Sequence, residues 1–391
     1  MSESPFGPFR GRAVIAGIGA TEFSKNSGRS ELQLACEATI EALRDAGLEP
    51  ADVNGMVTFT GDSNNEIEIA RSVGIPELTF FSRIHHGGGA ACATVQQAAM
   101  AVSVGIADVV VCYRAFNERS GNRFGRADRP GPRIDYGWYR PYGLVTPASW
   151  VAMFAQRYMH EFGATSEDFG RVAVVDRAHA ATNPNAWFYE RPITLEDHQS
   201  SSFIVEPLRL LDCCQESDGA VAIVVTSADR AKDLEQAPVV VEAAAQGSSA
   251  DQESMTSYYR DEINGLPEMG LVGFQLWEQS RLSPEDIQTA VIYDHFTPFV
   301  LVQLEELGFC KKGEAKDFIA DGQIGPGGRL PINTNGGQLG EAYIHGMNGI
   351  AEAVRQVRGT SVNQVEDVEH VLVTAGTGVP TSGLILGRGN A

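Results

Sequence analysis

The segment from Ile332 to Gly349 reads Ile-Asn-Thr-Asn-Gly-Gly-Gln-Leu-Gly-Glu-Ala-Tyr-Ile-His-Gly-Met-Asn-Gly, and its ionisable side chains are Glu341, Tyr343 and His345. It lies between a Gly325-Pro326-Gly327-Gly328 turn and a helical run ending near Val357. Five glycines in fourteen residues let the backbone approach another group closely. A carboxyl, a phenol and an imidazole at the mouth of a helix are groups that give and take protons. Two other chemistries lack their parts. Lysine occurs only at positions 25, 232, 311, 312 and 316, none of them in a motif frame, so a Schiff base has no amine. His85 and His86 are adjacent, point to opposite sides of an extended chain and have no clear third ligand, so no metal site is expected.

The elements that must hold this segment are written twice. Leu48-Glu-Pro-Ala-Asp-Val-Asn-Gly-Met-Val57 and Leu282-Ser-Pro-Glu-Asp-Ile-Gln-Thr-Ala-Val291 share the frame L-x-P-x-D-[V/I]-x-x-x-V. Each frame follows a helical stretch (32–46 and 266–281) and leads into a strand. Downstream, a Gly-rich turn opens a helix in both copies: Gly87-Gly88-Gly89 before 90–104, and Gly336-Gly337 before 342–357. Buried strands follow at 108–112 and 370–374, and closing strands at 220–226 and 382–386. Apolar runs without alternation suit strands buried on both faces. Their alternation with helices predicts an α/β chain with mixed, largely parallel sheets. The reading is an N-terminal half over 1–234, a C-terminal half over 235–391, and an insertion in the first half over roughly 114–205.

With 391 residues, 43 % of them apolar and 20 % charged, the chain is an ordinary globular protein large enough for two cores. A net charge of −20 argues against nucleic acid or an anionic membrane as the main partner. There is no apolar run of membrane-spanning length and no signal-peptide core, and the six cysteines form neither a disulfide framework nor a CxxC pair. These features point to a cytoplasmic protein, with the adjacent Cys213 and Cys214 better suited to burial than to bridging. The insertion departs from the acidic background. Arginines 114, 119, 123, 126, 129, 133 and 140 stand there among Tyr136, Trp138, Tyr139 and Tyr142. Arg123, Arg126, Tyr136 and Trp138 are the candidate contacts to a substrate phosphate or a partner protein.

The duplication, the opening Arg12-Ala-Val-Ile-Ala-Gly-Ile-Gly-Ala-Thr-Glu-Phe23 and the stretch from Pro207 to Val224 resemble the thiolase superfamily in its lipid-transfer-protein branch. The resemblance implies duplicated α/β halves in a layered αβαβα architecture. It also implies a register, and the departures from that register carry the function. The nucleophilic cysteine of thiolases falls at Gly88. Cys92 lies one turn into the helix and reads as a packed side chain. The histidine of the family's Gly-His-Pro motif falls at Tyr343, and the Asn or His after the second-half strand falls at Tyr293. The second catalytic cysteine falls near Thr374 and Ala375.

Without a thiolate, acyl transfer and thiolysis lose their nucleophile. The tyrosine pair implies instead a retro-aldol cleavage of a β-hydroxyacyl-CoA. A base takes the β-hydroxyl proton, the Cα–Cβ bond breaks, and the thioester enolate is protonated at Cα. Backbone groups of the Gly-rich turns, at Gly88 and Gly376, are the candidates to meet the enolate oxygen. A tyrosine has an ordinary pKa of about 10 and needs a positive neighbour or a helix dipole to act as a base. His345 and His295 are nearest in sequence, with Asp294 beside the latter. The resemblance extends to the steroid side-chain-cleaving aldolases of bacteria. It implies a 17-hydroxy steroid C22 carboxyl-CoA cleaved to a 17-ketosteroid and propionyl-CoA. It further implies a thiolase-type homodimer, a small OB-fold partner completing a heterotetramer, and no cofactor beyond the CoA of the substrate. Two rivals remain open: a non-catalytic acyl-CoA-binding scaffold, and a residual thiolase using Cys92.

Overall fold

Alternation along the strands sorts the side chains into layers. The computed structural model describes residues 9–85, 87–125, 134–232, 234, 236–253, 257–376 and 381–389, with the backbone alone at 134–136. The strands among them are β1 (Ala13–Ala20), β2 (Gly55–Phe59), β3 (Phe80–Ile84), β4 (Val109–Asn117), β5 (Phe203–Val205), β6 (Leu208–Arg209), β7 (Asp218–Ser227), β8 (Val239–Gly247), β9 (Thr289–Val291), β10 (His370–Ala375) and β11 (Thr381–Arg388). Nine of them form one sheet in the order β3-β2-β4-β7-β1-β8-β11-β10-β9, and β5–β6 is a separate hairpin in the insertion.

The repeat in the sequence is a repeat in space. Outward from the β1/β8 junction the orders β1-β7-β4-β2 and β8-β11-β10-β9 match, with β3 an added edge strand on the first half. The directions match as well: β2/β4 and β9/β10 are parallel, whereas the strands nearer the junction pair antiparallel. The expectation of largely parallel sheets is corrected by these inner pairs. β10 and β11 are joined by five residues, too few for the crossover that a parallel neighbour needs. Among the described residues, the sheet edges of the two halves pair through Val14↔Val240 and Ile15↔Val239.

On β7, Ala220, Ala222 and Val224 pack outward with Leu34, Ala38 and Ala42 of the helix Glu31–Ala46. Val221, Ile223 and Val225 face the opposite way, into a core shared with the helices Ala91–Ser103 and Met347–Arg358. These two helices touch strands of both halves. In the second half, Val371 and Val373 face that centre, while Leu372 and Ile385 pack with Val272 and Leu276 of the outer helix Pro267–Ser280. The result is the five-layer α-β-α-β-α stack. The helix Ala91–Ser103 is small and apolar nearly all round because it has sheet on both sides. The outer helix Glu31–Ala46 has local stop and start signals instead. Ser30 accepts from the Gln33 N–H at its start, worth about 1 kcal/mol, and Gly47 closes it in the left-handed region.

Two of the boundaries that differ from the sequence reading bear on the site. The central helix of the second half starts at Met347 rather than at 342, because His345 (φ 50) and Gly346 (φ 88) leave the right-handed region. Residues 341–346 are therefore a loop following the one-turn helix Gly337–Gly340. Strand β4 continues to Asn117, so Arg114 is a strand residue and not part of the insertion. No helix among the described residues is long and apolar enough to cross a membrane.

Candidate active site

Both Gly-rich turns deliver their residues to one place. The turn Gly87–Ala90 and the loop 341–346 each lead into a central helix, and a cavity of about 690 Å³ opens beside them. Its inner wall includes Gly88, Gly89, Tyr293, Tyr343, His345 and Gly376. The insertion supplies the facing wall, including Glu118, Arg123, Phe124, Trp150 and Ile204, with Leu210 just beyond it.

The two tyrosine hydroxyls are 3.3 Å apart. Tyr293, just after β9, is held by its backbone: its N–H donates to Thr374 Oγ1 at 2.9 Å and its carbonyl accepts from Gln303 Nε2 at 2.8 Å. The Thr374 hydroxyl in turn donates to Gln303 Oε1 at 2.7 Å. Thr374, near where a second catalytic thiol was expected, thus braces a tyrosine. The Tyr343 N–H donates to Ser217 Oγ at 3.1 Å.

Gly88 explains the missing nucleophile. A Cβ built on it would stand 2.0 Å from the Tyr293 hydroxyl oxygen, far inside any contact that real Cβ atoms make. A cysteine at 88 and this tyrosine at 293 exclude each other. Gly376 (φ 70) touches the same turn, and a Cβ there would lie 2.2 Å from Gly89 Cα. Cys92 is fully buried, its Sγ 3.9 Å from the Val373 carbonyl, and burial pushes its thiol pKa far up. It is a packed side chain, as its register suggests.

Electrostatics correct the expected help for the tyrosines. Burial raises both phenols above their ordinary range, so the resting hydroxyls are neutral. Neither histidine is the positive neighbour. His295 stacks on Phe299 with ring centroids 5.1 Å apart, and burial drives its pKa down to about 3. His345 Nδ1 lies 3.0 Å from Arg114 Nη2. A guanidinium only donates, so this nitrogen accepts and the ring is neutral. The fixed cation is Arg114 itself, fully buried, and its charge opposes the rise at Tyr293.

The two acids nearest in sequence do structural work. Asp294 does not line the cavity. Its carboxylate accepts from the Gln338 and Leu339 N–H groups at 2.9 Å each and so anchors the Gly336-Gly337 turn. Burial raises its pKa. Glu341 is enclosed by the side-chain amides of Asn335, Asn348 and Asn183, and burial raises its pKa to about 7.

Of the four candidate contacts in the insertion, Arg123 reaches the cavity wall, with its Nε 2.6 Å from Glu216 Oε2. Trp138 is 69 % exposed and outside the cavity. Arg126 and the Tyr136 side chain lie outside the described residues. Among the described residues no group of His, Cys, Asp or Glu is arranged to hold a metal. Sequence reasoning passed over Arg114, Glu118 and Cys214 as site residues. The strand signal fades at Tyr113, which hid the first, and Glu118 registered only as a counter-charge to the arginines.

Residues 13–229 match the family described as thiolase, N-terminal domain, and residues 250–388 match the thiolase C-terminal domain-like family. The chain belongs to the thiolase family. Among its thiolase-family relatives, the steroid side-chain-cleaving aldolase of Thermomonospora curvata is 72% identical over 383 residues, spanning 96% of this chain and 98% of the relative. The 17-hydroxy-3-oxo-4-pregnene-20-carboxyl-CoA lyase of Mycobacterium tuberculosis is 72% identical over 385 residues, spanning 96% and 99%. The solved Ltp2-ChsH2(DUF35) aldolase superposes with a TM-score of 0.94 at 72% identity, over 97% of this chain and 98% of that one. Human mitochondrial 3-ketoacyl-CoA thiolase, at 15% identity and a TM-score of 0.69, shares the fold alone, over 98% of this chain and 99% of its own.

Proposed function

We propose that this chain is a carbon–carbon lyase that cleaves a β-hydroxyacyl-CoA by retro-aldol chemistry, without a covalent enzyme intermediate. The proposed substrate is a 17-hydroxy steroid C22 carboxyl-CoA, and the products are a 17-ketosteroid and propionyl-CoA. One observation carries the reading: the Tyr293 hydroxyl fills the space that a nucleophile at position 88 would need. The 72% identity to an aldolase and a lyase with these names supports the substrate class.

Neutral phenols suit a relay better than a free tyrosinate. The substrate β-hydroxyl gives its proton to one tyrosine oxygen, while that tyrosine passes its own proton across the 3.3 Å contact to the other. The second tyrosine protonates Cα. The electron pair of the breaking Cα–Cβ bond moves into the thioester, the β-carbon becomes a ketone, and one proton travels from oxygen to carbon. Neither phenol has to stay ionised, which matters because burial disfavours the anion. Gly88 and Gly376 offer backbone groups beside the reacting atoms, and the insertion wall receives the rest of the acyl-CoA. CoA enters as part of the substrate and no further cofactor is invoked.

The proposed assembly is a thiolase-type homodimer in the cytoplasm, each copy joined by a small OB-fold partner. The DUF35 component of the similar solved aldolase supports the partner. Steady-state cleavage of a 17-hydroxysteroid carboxyl-CoA, with the copurified partner present, tests the reading. Release of a 17-ketosteroid and propionyl-CoA in equal amounts is expected. Binding without turnover would favour the scaffold alternative, and turnover abolished by alkylating Cys92 would favour a residual thiolase.

A further inference from the structure

A retro-aldol step leaves negative charge on the thioester oxygen, and the cavity has a side chain held in the right form to meet it. Arg114 enters the site from β4 with its side chain fully buried. Its Nη1 donates to the Phe59 and Thr60 carbonyls at 3.1 Å each, and its Nη2 lies 3.0 Å from His345 Nδ1. The Phe59 and Phe116 rings flank the guanidinium, 4.4 and 4.8 Å from its carbon. These contacts fix the guanidinium against a wall of acceptors and aromatic faces.

A guanidinium has no acceptor. His345 must therefore accept at Nδ1 and carry its ring proton at Nε2. The ring cannot easily turn over. It stands edge-on to Phe59, Phe116 and Phe124, at interplanar angles of 89°, 89° and 86°. Its backbone sits at φ 50, a region that non-glycine residues occupy rarely and that local packing must hold. His345 lines the cavity, and its Cδ2, the carbon between Cγ and Nε2, is 3.5 Å from where a Cβ on Gly88 would be. The Tyr343 ring is 4.5 Å away, centroid to centroid.

We propose that Arg114 is a positioning residue that locks His345 in its neutral Nε2–H form, and that His345 donates this hydrogen bond to the thioester enolate oxygen. This rests on the retro-aldol reading and adds the residue that receives its electron pair. A neutral imidazole stabilises an enolate oxygen without readily surrendering its proton, which leaves the tyrosine relay to protonate Cα. Arg114 acts through His345 and does not itself touch substrate.

The test compares His345→Phe, His345→Gln, Arg114→Met and Arg114→Lys with the wild type, each with its partner, in steady-state cleavage and in 15N spectra of histidine-labelled protein. Glutamine can accept from Arg114 through its carbonyl and donate through its amide, so it replaces both functions. His345→Phe should lose about 10²–10³ in kcat, the usual effect of removing one oxyanion donor, with KM changed less than about threefold. His345→Gln should recover most of that loss. The wild-type spectrum should show His345 protonated at Nε2, and Arg114→Met should mix the tautomers, with Arg114→Lys between the two. His345→Phe with wild-type kcat, or a wild-type His345 protonated at Nδ1, would overturn the inference while cleavage itself stands. A wild type that cleaves nothing would remove the underlying reading and this inference with it. The wild-type spectrum does not depend on whether the arginine variants fold.

Discussion

Gly88→Ala should cripple catalysis while leaving the fold in place. The added methyl carbon would lie 2.0 Å from the Tyr293 hydroxyl oxygen and 2.9 Å from the ring carbon that bears it. Real Cβ atoms essentially never approach within 3.0 Å, so the hydroxyl must retreat by at least about 1 Å. Tyr293 has little room, since its backbone is fixed by Thr374 and Gln303 and its ring packs beside Gly346. The retreat breaks the 3.3 Å contact with Tyr343. A misplacement of about 1 Å costs about 10²-fold in rate, and overpacking of this kind destabilises by about 1–3 kcal/mol. The assay is kcat for β-hydroxyacyl-CoA cleavage beside a thermal melt. Adding Tyr293→Phe to Gly88→Ala removes the atom that clashes most. The double variant should regain part of the melting temperature and none of the activity. Gly88→Ala with kcat within about threefold of wild type would refute the steric argument.

Other outcomes follow from the same geometry. Tyr293→Phe and Tyr343→Phe should each lower kcat by about 10²–10⁴ with folding intact, as checked by steady-state kinetics and circular dichroism. Cys92→Ala should keep most of the wild-type kcat, and Cys92 in the native protein should resist iodoacetamide as judged by peptide mass spectrometry, because the thiol is fully buried. Glu341 makes stability depend on pH. Its carboxyl is raised from 4.5 to about 7 in the folded chain, so the unfolded chain ionises first as pH rises. The stabilisation is fully present below about pH 4.5 and is lost by about pH 7, an amount of roughly 3 kcal/mol. Urea unfolding at stepped pH should show that fall, and Glu341→Gln should flatten it.

The sequence made the framework of the site legible and left its electrostatics hidden. Gly-rich turns followed by helices, and strands with apolar residues on both faces, are local patterns, so the duplicated α/β halves could be read directly, and the layering followed from the family resemblance. Tyr343 was found because the glycines around it fix the register of the family resemblance, and Tyr293 because it follows the second-half strand in that register. Arg114 was not, because Tyr113 to Asn117 mixes polar and apolar residues and the strand signal ends early. His345 was seen only as an acid/base candidate. Its left-handed backbone and its arginine neighbour, 231 residues away in the chain, are products of tertiary packing. For the same reason Asp294 stood as possible support beside His295, whereas its side chain points to the Gln338 and Leu339 amides. The β1/β8 junction rests on two residue pairs, too little to leave a pattern.

In the proposed reaction the C–C bond breaks by proton transfer, with no nucleophile. Turnover of a 17-hydroxysteroid carboxyl-CoA in heavy water, quenched and followed by intact-protein and product mass spectrometry, tests it most directly. The expected result is propionyl-CoA carrying one deuterium at Cα, an equal amount of 17-ketosteroid, and enzyme of unmodified mass at every time point. An acyl group on any cysteine during turnover, or propionyl-CoA formed without solvent deuterium, would contradict it.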